Sequence, residues 1–374
     1  RIVNPLTYTN MLLVRNYGLD VLRILLCLTV VVFHYGGEWS CGGGVAVDGF
    51  FVLSGFLAVC SARGSAQGNI VEYYRKKCWR LLPVLLIAWA VGLAVLFVEG
   101  ELASAWPGLR RLVLEPTRAM SQMTGIGSVW FLTCIMFFLA LFPWLYRYYG
   151  KKIFLWILTA SILFAVFRSG MCPLAELYFQ VSFRLWQFLL GMWCASWNME
   201  RIRISWRWFW IGTGAAWLLA SSFVGNREIG FLLNNLLPKY IISSGVFALF
   251  ISSLWSVRLP SLSKKLLKWL GIGAGMTYAL FLFHQPVRIL VSWGMKRGFR
   301  MLREHAGMDW QEDAFPVLLC GMSLCASLLV SYFVYQYVEV RWVGKRLRKE
   351  SLARNGVLEG AGKMERIKYL GKDE

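Results

Sequence analysis

The apolar character of the chain is clearest near its N-terminus, where residues 19–37 read LDVLRILLCLTVVVFHYGG. A run of this length is enough for a helix to cross a hydrocarbon core of about 30 Å. Arg23 and His34 lie within it, although such side chains are costly in a membrane helix. At about 100° and 1.5 Å per residue, they are expected on one helix face and about 16 Å apart along the axis. The segment therefore predicts a membrane helix with a polar pair on one side.

Similar apolar runs recur along the whole chain of 374 residues. Hydrophobic residues make up 57% of it, charged residues only 16%, and the mean hydropathy is +0.53. Soluble domains usually have about 25% charged residues, so the composition predicts an all-α, polytopic integral membrane helical bundle of about ten transmembrane helices. The predicted spans are 19–37, 45–61, 81–98, 127–146, 152–168, 182–197, 207–224, 238–257, 272–293 and 315–338.

The chain is expected to form one membrane domain, residues 17–342. A cytoplasmic N-terminal segment, 1–16, precedes it and a basic cytoplasmic tail, 343–374, follows. Because Met11 leads directly into the first span, residues 1–10 are expected to be an artefact of where the sequence starts, and no cleavable signal peptide is expected. The polar loops 99–126 and 288–314 are too short for a soluble enzyme domain. Any chemistry must therefore come from the helices and short loops.

The net charge of +20 is spread over short loops between apolar runs, which argues against nucleic acid as a partner. The segments placed inside carry more than twice as many Lys and Arg residues as those placed outside, so both termini are expected in the cytoplasm. The nine cysteines form no CxxC pair or Cys/His cluster. We therefore expect neither a disulfide framework nor a metal site.

The polar pair of the first span has two interpretations. Arg23 and His34 mark a functional path inside the bundle, or Arg23 snorkels to the inner surface while His34 lies at the outer interface. Asp48, at the outer start of the second span, is expected at a depth similar to that of His34. There it would orient the imidazole and raise its basicity, as a general base requires. The alternative role of Asp48 is a helix cap beside small residues that allow close packing.

Six segments, in chain order, resemble the motifs of the membrane acyltransferase-3 family, the O-acetyltransferases that modify bacterial cell-surface glycans. They are Arg23 with His34, Val47–Phe56, Tyr73–Pro83, Val129–Leu132 with Phe142–Pro143, Tyr278–Pro286, and Val338–Glu339. In many relatives an acidic residue stands where this chain has Ile135 and Met136. The closing motif of the family often reads Glu-x-Pro, whereas in this chain Glu339 is followed by Val340 and Arg341. These departures leave the resemblance to the family intact, but they bear on which subfamily the chain resembles and hence on which acceptor it would use.

The resemblance implies an enzyme of the bacterial cytoplasmic membrane that moves an acetyl or related acyl group from acyl-coenzyme A to a hydroxyl of a carbohydrate or glycolipid. His34 would deprotonate the hydroxyl, Asp48 would orient it, and Arg23 would hold the donor or stabilise negative charge. His34 could instead carry the acyl group covalently. Acyl-coenzyme A is expected as a substrate, with no permanently bound cofactor.

Arg75 and Arg80 would bind the donor's phosphates, although basic residues there could equally anchor the protein to anionic lipid. The residues expected to line the site are Ser54, Gly55, Trp130, Tyr278, His284 and Glu339. A single histidine such as His284 could also be a packing residue, and Glu339 could pair with a cytoplasmic arginine or with the neighbouring Arg341. Two other functions stay open: a transporter of a lipid-linked sugar or oligosaccharide, and a membrane sensor or scaffold.

Overall fold

A computed structural model describes residues 16–36, 43–64, 70–197, 237–256, 263–306 and 314–344. The secondary structure of these residues is helical, which confirms the all-α prediction. The helices are α1 (Tyr17–Tyr35), α2 (Gly43–Gly64), α3 (Ile70–Val98), a 3₁₀ turn (Leu102–Ala105), α4 (Gly108–Leu114), α5 (Pro116–Thr124), α6 (Val129–Tyr148), α7 (Lys152–Met171), α8 (Leu174–Leu177), α9 (Val181–Cys194), α10 (Leu237–Ser256), α11 (Lys264–Ala306), α12 (Ala314–Val334) and a π-helix (Tyr335–Gly344). Within these ranges, seven helical segments are long and apolar enough to cross a membrane. The protein is a multi-pass membrane helical bundle.

Helices α1 and α11 lie side by side and run in the same direction. Near the middle of α1, the Cys27 thiol approaches the Thr277 carbonyl at 3.4 Å. At the end of α1, the Tyr35 hydroxyl donates to the His284 carbonyl at 2.7 Å. Residue numbers therefore rise in the same direction along both helices. This agrees with the predicted ten spans, because the first and the ninth span cross the membrane in the same direction. This pairing brings the C-terminal end of α1 against the middle of α11.

Helices α2 and α9 cross at two glycines whose missing side chains allow the backbones to touch. A Cβ on Gly55 would overlap the Phe188 carbonyl, and one on Gly191 would overlap the Val52 carbonyl. Small residues at such crossings permit the close packing on which membrane helices depend. The structure thus gives Gly55, which was expected to line the site, a packing role.

The basic segment before the third span is helical, whereas the sequence suggested a loop. Helix α3 begins at Ile70, eleven residues before the predicted start of the span. Its first turns are polar and carry an i,i+4 ion pair of 2.9 Å between Glu72 and Lys76. Hydropathy detects only the apolar part of such a helix, which explains the wrong boundary.

Two other predicted loops also contain helices. Helix α11 continues to Ala306 through most of the predicted loop 288–314, and the segment 99–126 contains α4, α5 and the 3₁₀ turn. The predicted span 182–197 corresponds to α9, which has 14 residues. The predicted span 207–224 and residues 345–374 of the tail lie outside the described residues.

Candidate active site

Helix α1 carries its two polar side chains at different levels. Its first turn is capped by Asn16, whose Oδ1 accepts from the Leu19 N–H at 3.1 Å. One turn later, Arg23 Nη1 lies 3.6 Å from Asp20 Oδ1. His34 is at the opposite end of the helix, about 16 Å further along the axis. Arg23 and His34 therefore serve two different regions of the bundle.

The imidazole of His34 is surrounded by side chains of α11. The Gln285 Nε2 atom lies 3.5 Å from each ring nitrogen, at the outer limit of a hydrogen bond. The ring centre is 5.1 Å from that of His284. Arg288 Nη1 donates to the backbone carbonyl of His34. The half-buried imidazole thus has polar neighbours but no short hydrogen bond among the described residues, which leaves its nitrogens available to a substrate.

Gln285 is held in place by the turn that precedes α6. Gly125 ends α5 with φ = 64°, a left-handed conformation that favours glycine. The chain then turns so that the Ser128 N–H donates to Gln285 Oε1 at 2.9 Å, while Ser128 Oγ donates to the Phe281 carbonyl at 3.1 Å. With its oxygen fixed by a backbone donor, the amide of Gln285 must present its NH₂ group on the other side, where His34 lies.

His284 is fully buried and its ring is locked at one nitrogen. Nδ1 lies 2.8 Å from the Phe281 carbonyl, so Nδ1 carries the proton and Nε2 keeps a lone pair. Nε2 is buried and has no hydrogen-bond partner among the described residues. An acceptor left in this state costs about 1–3 kcal/mol. The sequence predicted His284 as a site-lining residue, and the structure brings it beside His34.

The predicted pairing of Asp48 with His34 is wrong. Asp48 Oδ1 accepts from Arg184 Nη1 at 2.8 Å and from Gln187 Nε2 at 2.9 Å. Ser243 Oγ donates to Oδ2 at 2.6 Å. The carboxylate is only 1% exposed, and a buried charge requires an opposite charge together with hydrogen bonds. The guanidinium of Arg184 supplies the opposite charge and a hydrogen bond, whereas a neutral imidazole would supply only a hydrogen bond.

Arg184 is the central residue that the sequence interpretation missed. It is fully buried, its Nε donates to the Tyr178 carbonyl at 3.0 Å, and its guanidinium carbon lies 4.2 Å from the Tyr178 ring centre. The Trp130 ring centre is 5.9 Å away, so this site-lining candidate belongs to the Asp48–Arg184 network. A signal was present, because Arg184 and Gln187 are three residues apart on one face of an apolar helix. Of Ser54, the structure shows only that it is half-buried in α2.

A second polar cluster lies around Arg80, about a third of the way along α3. The Tyr278 hydroxyl donates to the Leu81 carbonyl at 2.9 Å. The carboxyl group of Glu339 interacts electrostatically with both Arg80 and Tyr278. Lys77 is three residues and less than one helical turn from Arg80, and the two positive charges repel each other. Glu339 and Tyr278 therefore meet the basic segment at Arg80.

Arg75 does not share the helix face of Arg80. Five residues separate them, which places their side chains about 140° apart around the α3 axis. Both side chains are exposed. The two arginines that the sequence grouped as one phosphate site thus point in different directions, while Lys77 lies on the Arg80 side.

Comparison with known proteins gives one family match and partial matches to individual relatives. The model of the acyltransferase-3 family, described as an acyltransferase domain, matches residues 16–336. O-acetyltransferase OatA of Staphylococcus aureus (strain NCTC 8325 / PS 47) is 30% identical over 73 residues, which are 18% of this chain and 12% of the relative. The putative O-acetyltransferase SACOL0978 of Staphylococcus aureus (strain COL) is 30% identical over 89 residues, 22% of this chain and 15% of the relative.

These alignments span at most 15% of the length of the curated relatives. No solved structure matches the chain. The family model, in contrast, covers the helices that carry His34, Asp48, Arg184 and His284 in one continuous match. The chain belongs to the acyltransferase-3 family of membrane proteins.

Proposed function

We propose that the protein is an integral membrane O-acetyltransferase that moves an acetyl or related acyl group from acyl-coenzyme A to a hydroxyl of a cell-surface carbohydrate or its lipid-linked precursor. Membership of the family and the names of the two relatives support the reaction class. The observation that carries the proposal is the environment of His34. Its imidazole lies half-buried against α11, and neither ring nitrogen has a short hydrogen bond among the described residues.

In the proposed reaction His34 acts as the general base. One ring nitrogen takes the proton of the acceptor hydroxyl as the oxygen attacks the carbonyl carbon of the thioester. The carbon–sulfur bond then breaks, and the coenzyme A thiolate takes up the proton from His34. A covalent route, in which His34 first receives the acyl group, uses the same residue. Trapping of a labelled acyl-enzyme distinguishes the two routes.

The donor is proposed to enter from the N-terminal side of α3, along the basic segment that contains Arg80. Arg80 and Lys77 are three residues apart on one face of α3, so together they offer two cations to the phosphates of coenzyme A. Arg75, on another face, would contact a different part of the donor or the lipid headgroups. Arg23, about 16 Å from His34, belongs to the donor side of this path.

The same scheme places the protein in the bacterial cytoplasmic membrane with both termini in the cytoplasm. Lys77 and Arg80 would then face the compartment that contains acyl-coenzyme A. His34, at the far end of α1, would lie towards the side where surface glycans are assembled. The acceptor carbohydrate, the bilayer and acyl-coenzyme A are the partners that this arrangement requires.

Acetyl transfer in purified membranes tests the proposal directly. The His34→Ala variant should lose at least about 100-fold in transfer from labelled acetyl-coenzyme A, since general-base catalysis typically contributes that much. The matched control is His305→Ala, which removes the third histidine of the chain and should retain full transfer. Full activity of His34→Ala would overturn the proposed role, and absence of donor-dependent transfer by the unmodified protein would overturn the function itself.

A further inference from the structure

His284 combines complete burial with a lone pair that nothing in the described structure uses. Its backbone carbonyl accepts a hydrogen bond from the Tyr35 hydroxyl, which also shares a hydrogen bond of 2.6 Å with Ser327 Oγ. Its Nδ1 is held by the carbonyls of Phe281 and Leu280 at 2.8 and 3.2 Å. The residue is therefore fixed in position and in tautomer, with Nε2 as its one remaining acceptor. Buried acceptors of this kind usually have a partner.

Among the described residues, the nearest ring that can supply a donor is that of His34. The two ring centres are 5.1 Å apart and the planes differ by 36°. Two imidazoles joined by an N–H···N bond of about 3 Å have a similar separation between their centres. His34 is held only by the two 3.5 Å approaches of Gln285, so a small rotation of its ring is not opposed by a short hydrogen bond among the described residues.

We propose that His284 is the positioning residue of His34. Its Nε2 accepts the N–H of His34 and so directs the other nitrogen of His34 towards the acceptor hydroxyl. This inference rests on the proposed function, and it gives to His284 the orienting role that the sequence suggested for Asp48. A neutral acceptor suffices here, because it fixes the tautomer without adding a charge to the membrane interior.

The proton balance of the reaction is unchanged by this partner. The hydroxyl proton moves to the free nitrogen of His34, the carbon–oxygen bond forms, and the carbon–sulfur bond breaks. The proton then passes to the departing thiolate. His284 neither gains nor loses a proton, since its hydrogen bond to His34 persists throughout and stabilises the transient imidazolium.

Two substitutions of similar size separate this role from a purely structural one. In His284→Asn, the amide can reach the Phe281 carbonyl in the manner of Nδ1, but it has no group at the position of Nε2. In His284→Gln, the longer amide places an oxygen acceptor near the position of Nε2. We would compare both variants with the unmodified protein and with His34→Ala, purified in detergent, after checking each by size-exclusion chromatography and thermal unfolding.

The Asn variant should lose at least about 30-fold in kcat with an unchanged KM for acetyl-coenzyme A, whereas the Gln variant should stay within about 10-fold of the unmodified protein. Equal activity of the Asn variant and the unmodified protein would overturn the inference while leaving the proposed function intact. So would a folded Gln variant as inactive as His34→Ala, a result that remains informative even if the Asn variant does not fold. If the unmodified protein shows no donor-dependent transfer, the proposed function fails instead.

Discussion

Asp48 and Arg184 show what a buried charge requires of the residues around it. The two side chains are 1% and 0% exposed, and they lie in different helices, α2 and α9. Ser243 of α10 and Gln187 also donate hydrogen bonds to the carboxylate. The network thus joins three helices through one ion pair, and removal of either charge leaves the other without compensation in a region of low dielectric constant.

The Asp48→Asn variant should therefore be strongly destabilised. Loss of one partner of a buried ion pair typically costs about 3–5 kcal/mol. Thermal unfolding in detergent, followed by size-exclusion chromatography, measures the change. The matched control is Lys76→Gln, which removes an ion pair whose lysine is 57% exposed and should cost about 1 kcal/mol or less. Similar unfolding temperatures for the two variants would show that the network does not stabilise the bundle.

The sequence predicted parts of this site and not their arrangement. His34 and Asp48 are recognisable because polar residues stand out in apolar spans. Their partners could not be assigned, since depth in the membrane says nothing about which helices are neighbours. Arg184 was overlooked although it stood out in the same way. No site role was predicted for Gln285, although it lies within the Tyr278–Pro286 segment, because an amide beside a proline carries no signal until the turn before α6 is known.

Among the elements, the crossing of α2 and α9 depends on the absence of two side chains. Gly55→Ala should be destabilising by about 1–3 kcal/mol, because the added Cβ overlaps the Phe188 carbonyl and forces the helices apart. The control is Gly245→Ala in α10, where no described residue beyond the adjoining part of the same helix lies within 4 Å of the added Cβ and alanine favours the helix. The two variants should differ in the same thermal assay, and equal stability would mean that α2 and α9 can repack.

The helix lengths show where hydropathy succeeds and fails. It located the apolar parts of α1, α6 and α7 to within about three residues, because there the helix and the apolar run coincide. It missed the polar start of α3 and both polar ends of α11. Exposed polar residues are compatible with a helix as well as with a loop, so their conformation depends on the continuation of the helix and not on hydrophobicity.

For the whole molecule, the proposed orientation has a direct labelling test. Cys78 is exposed on α3, and Ala103 is exposed in the segment between α3 and α4. In a background without other cysteines, Cys78 should react with a membrane-impermeant maleimide only after the cells are opened. Ala103→Cys should react in intact cells. The reverse pattern would invert the orientation and would place Lys77 and Arg80 away from cytoplasmic acyl-coenzyme A.

The Asp48–Arg184 pair also has a consequence for biosynthesis. The two residues are 136 positions apart, and a ribosome needs on the order of ten seconds to make that length of chain. During this time the carboxyl group of Asp48 in α2 lacks the Arg184 guanidinium as its partner. Until α9 emerges, the nascent chain depends on protonation, on water at the insertion site or on a chaperone to shelter that group. Chains that stop before α9 should accordingly be preferred targets of membrane quality control.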